Sequence, residues 1–382
     1  MAAALQPIQW PGSVDVAAVG KAAAAMALGA RRALGERVGE TLVITKSGHL
    51  LPGLERAPGV ELMEAGHPIP TPESLQAGAR LLAWLQARAH NRRLLFLLSG
   101  GASSLIEAPA AGIDLEQLVR VNRWLLASGL DIGAVNAVRR RVSLIKGGNL
   151  LRVVDPSRVE VWLLSDVAGD DPAVIGSGPL FATVGATAVE ASQPSWLTEL
   201  LERIGPLPPV PTLSPQHRVL ANLQTACAAA GAEARRLGLR ASIDPVELDG
   251  EAELAGRSLA RRLIGSPPGV YIWGGETTVR LPARPGRGGR NQHLALAAAV
   301  ELEGRDDVVL LALGTDGSDG PTDDAGALVD GATLKRGLAA DREARADLQQ
   351  ANAGAFLEAS GDLITTGPTG TNVRDLVIGW KA

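Results

Sequence analysis

Five short segments combine glycine with residues that can handle anions or metals. They are Val19-Gly20-Lys21, Ser99-Gly100-Gly101-Ala102-Ser103-Ser104, Lys146-Gly147-Gly148, the stretch 286–291, and Thr315-Asp316-Gly317-Ser318-Asp319-Gly320. Most of them sit at the ends of apolar runs. A tight glycine turn after a strand can aim backbone N–H groups at an anion. Lysine and arginine nearby can neutralise phosphate, and aspartate can hold a divalent cation. The combination points to phosphoryl transfer.

Each segment has a plainer reading beside the chemical one. The apolar run 94–98 leads into Gly100 and Gly101, then Ser103 and Ser104. Ligands of open α/β sheets bind at such strand ends, and glycine lets a ligand approach the backbone. An ordinary glycine turn with a serine cap has the same appearance. Lys21 opens a helix after a strand and a glycine, but the upstream glycine and following Ser/Thr of a Walker A loop are missing. Taken alone it also fits a solvated lysine. Lys146 also fits a basic residue in a helix's last turn before a glycine cap.

The run Ser165-Asp166-Val167-Ala168-Gly169-Asp170-Asp171-Pro172 and the 315–320 segment each follow an apolar strand, and Asp323 and Asp324 lie just beyond the second. Carboxylates there suit Mg2+, although Asp-rich turns also cap their own backbone. Two such loops favour function. Arg287 and Arg290 stand among Gly286, Gly288 and Gly289, where guanidinium groups could grip phosphate or carboxylate in a bidentate way. Gly274-Gly275-Glu276-Thr277-Thr278 follows another strand, and the polar stretch 366–372 is either a loop or a ligand rim.

Several classes lose support. The histidines (His49, His67, His90, His217, His293) show no metal-ligand spacing, and His67, before Pro68, reads as a loop residue. No G-x-S-x-G elbow is present, and no G-x-G-x-x-G follows the first strand. The formal net charge is -4 and no basic tract interleaves with aromatics, which argues against a nucleic-acid partner. Cys227 is the only cysteine, so an internal disulfide is impossible and a reducing compartment is expected. No apolar run approaches the roughly 20 residues of a membrane span. The Ala-rich start lacks a basic leading region and is interrupted by Asp15 and Lys21, so no membrane partner and a cytoplasmic location are expected.

The length of 382 residues suggests two or three domains, with a large core built mainly from Leu, Val, Ile and Ala because aromatics make up only 3%. Strands are expected over 14–19, 41–45, 60–63, 94–98 and 159–165. Helices are expected over 21–34, from Thr71-Pro72 to about His90, and over 115–128 and 134–145. That alternation implies a parallel sheet covered by helices on both faces. A proline-rich stretch at 193–216 reads as a linker, with room for one short helix over 196–204. It would separate an N-terminal α/β domain, 1–192, from a C-terminal one, 217–382. In the second domain helices are expected over 220–237, 250–264 and 294–302, and strands over 269–273 and 308–313.

Taken together, these motifs resemble the class II glycerate 2-kinase family, whose second half is called the MOFRL domain. The resemblance rests on Val19-Gly20-Lys21-Ala22-Ala23, Ser99-Gly100-Gly101-Ala102-Ser103, Asn136-Ala137-Val138-Arg139 and Ser143-Leu144-Ile145-Lys146-Gly147-Gly148. It continues through Ser165-Asp166-Val167, Gly169-Asp170-Asp171-Pro172, Ser177-Gly178-Pro179 and Gly274-Gly275-Glu276-Thr277-Thr278-Val279. Gly288-Gly289-Arg290-Asn291-Gln292, the segment 314–320 and the segment 366–373 complete it, in order along nearly the whole chain.

The resemblance implies two α/β domains, a Rossmann-like doubly wound parallel sheet followed by the MOFRL domain, with the active site in an interdomain cleft. It implies transfer of the γ-phosphoryl group of ATP, with Mg2+, to the 2-hydroxyl of D-glycerate. Lys21 and Arg290 match the family's proposed catalytic residues. Ser99, Gly100, Gly101, Ser103 and Arg139 are expected to bind the acid. Lys146, Gly275, Glu276, Asn291, Thr369 and Asn372 are expected around the nucleotide. Asp166, Asp170, Asp316 and Asp319 form the pool of metal ligands. ATP and D-glycerate are the expected small-molecule partners of a monomer or homodimer. The family's other label, hydroxypyruvate reductase, and a non-catalytic anion-binding protein are the rival readings.

Overall fold

The computed structural model describes residues 12–88, 92–130, 132–182, 193–205 and 207–382. The chain divides into two compact units, Met1–Leu220 and Ala221–Ala382.

The first unit is built on six strands: β1 Val14–Val19, β2 Val38–Lys46, β3 Val60–Ala65, β4 Arg93–Ser99, β5 Val159–Leu164 and β6 Gln216–Ala221. Their order in the sheet is β3-β2-β1-β4-β5-β6. The neighbours from β3 through β5 pair in parallel. Chain direction reverses its walk across the sheet between β1 and β4, which is the switch point of a doubly wound sheet. Every residue of β1 is buried, as are the last six of β4, as a strand covered on both faces requires.

The helices of this unit are α1 Ala23–Leu34, α2 Pro72–Gln86, α3 Ala102–Leu105, α4 Leu115–Ala127, α5 Ile132–Val142 and α6 Ser195–Ile204. Helix α2 starts as its sequence dictates, with Pro72 in the first turn and a reciprocal box between Thr71 and Ser74. Its expected end near His90 lies outside the described residues. Helix α5 stops at Val142, earlier than expected, because the chain turns at Gly147 and Gly148, both with positive φ (62° and 86°). The 193–216 stretch holds more regular structure than a linker. Helix α6 buries Leu197, Leu200 and Leu201 against Leu118, Val121, Val138 and Val142, and β6 begins at Gln216.

The second unit carries β7 Ala241–Ile243, β8 Gly269–Gly275, β9 Val308–Gly314, β10 Gly326–Asp330, β11 Leu363–Ile364 and β12 Asp375–Lys381. Its order is β11-β10-β9-β12-β8-β7. Strand β12 lies antiparallel between β8 and β9, so the sheet is mixed. Its helices are α7 Leu223–Arg236, α8 Ala252–Ile264, α9 Arg290–Leu302, α10 Thr333–Ala339, α11 Ala344–Gln349 and α12 Ala353–Ser360. Helix α9 is the buried spine: Leu294 through Ala299 and Leu302 are all within the core. It begins four residues before the expected start, for a reason set by Asp319 below. Among the described residues, no helix is long and apolar enough to cross a membrane.

Candidate active site

In the first unit, the turns after β1 and β4 are sutured together. The Ala22 N–H donates to Ser99 Oγ at 3.1 Å, and the Lys21 N–H donates to the Gly100 carbonyl at 2.9 Å. Gly20 has φ 125°, and a Cβ on it would overlap Ser99. Glycine is therefore demanded here by close approach of two backbones. Ser99, expected at the acid, is fully buried and its hydroxyl is taken up by this suture. The first N–H groups of the β1–α1 turn are likewise used by the protein and do not form an open anion cradle.

What the suture exposes is the side chain of Lys21. A Cβ on Gly101 (φ 83°) would lie 3.0 Å from Lys21 Cγ and 3.3 Å from the His67 ring. Lys21, Gly101 and His67 thus gather at the carboxyl ends of β1, β3 and β4. Ser103 Oγ is 2.9 Å from Ser177 Oγ, and Arg139 Nη1 donates to Ser177 at 3.2 Å. The Gly147 and Gly148 N–H groups donate to the carbonyls of Ser177 and Gly178. That link fixes the Ser177 hydroxyl in front of Arg139. Ser177 is the residue sequence reasoning missed: its motif was noted, but nothing local marks it as a partner of Ser103, 74 positions away.

Lys146 lies in the interior. It is 1% exposed, and its ammonium is paired with Glu107, which is fully buried. Ser143 Oγ donates to the other Glu107 oxygen at 3.1 Å. The expected nucleotide contact is replaced by a buried ion pair. Asp166 and Asp170 follow β5 and are half-buried, with Asp170 at φ 54°.

In the second unit, Arg290 is the first residue of α9. Its Nε and Nη2 donate to the two oxygens of Asp375 at 2.6 and 3.1 Å, and Nη1 meets Glu276 at 2.8 Å. Burial alone would lower the pKa of this guanidinium. The bidentate Asp375 and the charges of Glu276 and Asp319 outweigh that and raise it above its usual value. Asp375 opens β12 and Glu276 follows β8, so two adjacent strands aim one arginine. Asp375 was not legible as a site residue, because its partner lies 85 positions upstream.

Asp319 and Asn291 also depart from expectation. Asp319 is 2% exposed and accepts the backbone N–H groups of Asn291 (3.0 Å) and Gln292 (2.8 Å), plus the Asn291 amide (3.3 Å). It caps α9 from a distant loop and so starts that helix at Arg290. Burial pushes the Asp319 carboxyl up to about 6 against the pull of those N–H donors. Both side chains, expected at the metal and the nucleotide, are engaged in this cap. A Cβ on Gly289 would overlap Asp319. Gly289→Ala should accordingly lower stability by about 1–3 kcal/mol, the usual cost of overpacking, read as a drop in Tm. An unchanged Tm would contradict the cap.

The loop 315–320 is knitted to the 366–374 stretch. Thr315 Oγ1 donates to the Arg374 carbonyl at 2.6 Å and Thr369 Oγ1 to the Thr315 carbonyl at 2.5 Å. Asp316 Oδ1 accepts from the N–H and hydroxyl of Ser318, both at 3.0 Å, and Asn372 is buried. Thr369 is exposed on this rim, and Gly275 is buried where β8 ends. A cavity of about 330 Å³ opens beside Arg290, lined by Thr277, Val279, Leu281, His293, Pro321 and Ala351. Burial lowers the His293 pKa below its ordinary value. Among the described residues, no group of three or more His, Cys, Asp or Glu is arranged to hold a metal.

Known proteins share this architecture. Residues 3–199 match the family described as a domain of unknown function (DUF4147), and residues 269–375 match the MOFRL family. A Thermotoga maritima protein named D-glycerate 2-kinase is 38% identical, over 96% of this chain and 90% of its own length. An Agrobacterium vitis relative with a provisional hydroxypyruvate reductase name is 37% identical, over 96% of this chain and 86% of its own. The crystal structure of a glycerate kinase from Thermotoga maritima superposes with a TM-score of 0.83 at 37% identity, covering 97% of this chain and 92% of that one. With both matched families in order and near-complete alignment to such relatives, the chain belongs to the class II glycerate kinase family.

Proposed function

We propose that the protein transfers the γ-phosphoryl group of ATP to the 2-hydroxyl of D-glycerate, giving 2-phosphoglycerate and ADP. The observation that carries this reading is the position of Lys21. It stands at the switch point of a doubly wound sheet, beside Gly101, in a chain 38% identical to a D-glycerate 2-kinase. Phosphoryl transfer needs positioning and neutralisation of charge more than covalent chemistry from the protein. Lys21 and Arg290 are assigned to that neutralisation. The cavity beside Arg290 is of a size that suits a small ligand and is assigned to the nucleotide's apolar part.

The residues fit a metal carried with the nucleotide. Mg2+ keeps several waters and takes one or two carboxylates plus substrate phosphates, so a dedicated cage is not required. Asp319 leaves the pool because backbone N–H groups occupy both its oxygens. Asp166, Asp170 and Asp316 remain as the pool from which its carboxylate ligands would come. When bound, Mg2+ would supply charge neutralisation on the phosphate oxygens.

A reductase reading has less to stand on. A dinucleotide pyrophosphate needs open N–H groups at the first β–α turn, and here Ser99 and Gly100 take them. The deciding experiment is ³¹P NMR of ATP, Mg2+ and D-glycerate with the purified protein. Growth of a 2-phosphoglycerate signal is expected. A 3-phosphate signal, or NADH oxidation by hydroxypyruvate without any transfer, would overturn the reading.

A further inference from the structure

Arg290 is aimed by Asp375 and Glu276, and both carboxylates are set from one short segment, Glu247-Leu248. On one side, the Leu248 N–H donates to the Gly274 carbonyl at 2.8 Å and the Glu276 N–H donates to the Leu248 carbonyl at 3.0 Å. A Cβ on Gly275 would overlap the Leu248 backbone, so glycine lets the segment lie this close to the end of β8. On the other side, Nη1 and Nη2 of Arg374 donate to the two Glu247 oxygens, each at 2.9 Å. Arg374 immediately precedes Asp375, and its φ is 71°. This left-handed backbone is strained for a residue with a Cβ, and arginine lacks the short polar side chain with which Asn or Asp bonds locally. The turn is held at both ends of the residue. The Arg374 carbonyl accepts the N–H and the hydroxyl of Thr315, at 3.0 and 2.6 Å, and Glu247 grips the buried guanidinium. Removing Glu247 takes away the carboxylate this guanidinium lies against, and its swing toward solvent would release the turn.

We propose that Glu247 is a positioning residue for Arg290: by gripping Arg374 it holds a strained turn that points Asp375 at the arginine. The proposal rests on the phosphoryl-transfer role that the kinase reading gives to Arg290. Glu247 acts through Asp375 and is not itself assigned to substrate. The strained turn, and not the Arg374 charge, is what the site requires.

The test compares Glu247→Ala, Arg374→Gly and the double variant by steady-state kinetics, well below each Tm, and by crystal structures. Glu247→Ala should lower kcat about tenfold with both KM values near those of the parent, because the arginine stays and only its aim slackens. Arg374→Gly should remain within about twofold of the parent, since glycine adopts φ 71° freely and needs no carboxylate to hold it there. For the same reason the double variant should recover most of what Glu247→Ala loses, a rescue that simple loss of an ion pair does not predict. Should Glu247→Ala fail to fold, Arg374→Ala carries the test. It deletes the same guanidinium as Arg374→Gly but keeps the Cβ, and its kcat should fall about fivefold below that of the glycine variant. Parental kcat in folded Glu247→Ala, no recovery in the double variant, or equal kcat with alanine and glycine at 374 would overturn the proposal and leave the kinase reading standing. In a protein that transfers no phosphate to glycerate, the crystal structures decide. Asp375 turned from Arg290 in Glu247→Ala and returned in the double variant upholds the positioning role while the kinase reading falls. An Asp375–Arg290 contact unchanged in every variant overturns the positioning role.

Discussion

Arg290→Ala should lower kcat for glycerate phosphorylation by about 10²–10³, the loss seen when one preorganised donor to a developing oxyanion is removed. The expectation comes from how Arg290 is held. Asp375 fixes two of its nitrogens from a buried position at the start of β12, and Glu276 meets the third from an exposed one after β8. The Asp375 grip sets the plane of the fork. The Glu276 contact is the solvent-facing side, which a more highly charged phosphoryl group can take over. Arg290→Lys should recover little, because a point charge cannot keep both the Asp375 grip and a second anion in one plane. Asp375→Asn should leave the cation but slacken its aim, for a smaller fall in kcat. The alanine variant also leaves the Asp375 carboxylate buried without its partner, so its Tm will drop. Activity is therefore measured well below that Tm, on protein whose circular dichroism matches the parent. A folded Arg290→Ala protein with near-parental kcat removes the residue from the mechanism.

The contrast between Arg290 and its neighbours shows what a sequence can and cannot display. The strands β1, β4, β5, β8 and β9 are legible because long apolar runs end in glycine or aspartate. Strand β12 is not, although it lies at the centre of the second sheet. It begins with an aspartate and interrupts its apolar run with Gly379. At the site, the special segments were visible but the direction of their side chains was not. Ser99, Asn291 and Asp319 look like ligand contacts because small polar residues after a strand could face outward. Each instead satisfies backbone N–H groups or a capping carboxylate far off in the chain, between 27 and 77 positions away. Lys146 looks like a helix-terminal lysine until Glu107, 39 positions upstream, is seen to bind it. The glycines report the same fact. Gly20 and Gly289 are glycine because Ser99 and Asp319 press against them, not because a phosphate does. Glycine marks close approach in either case, and only the fold says what approaches.

Lys21→Met should cost about 10²–10³ in kcat while the fold survives. Two features separate its charge from its packing. Its backbone N–H holds the Gly100 carbonyl whatever the side chain is, so the suture between β1 and β4 persists. Its aliphatic stem lies against Gly101, and methionine keeps a stem of similar length in that place. The substitution therefore removes the ammonium and keeps the stem, and a folded protein is expected. The loss should fall on kcat, with KM for glycerate nearly unchanged, because a group that neutralises charge developing during transfer is used in the transition state and not in the ground state. A Lys21→Met protein whose defect lies wholly in KM for glycerate would make the lysine a ligand of the acid's carboxylate, and neutralisation of the phosphoryl group would have to come from elsewhere.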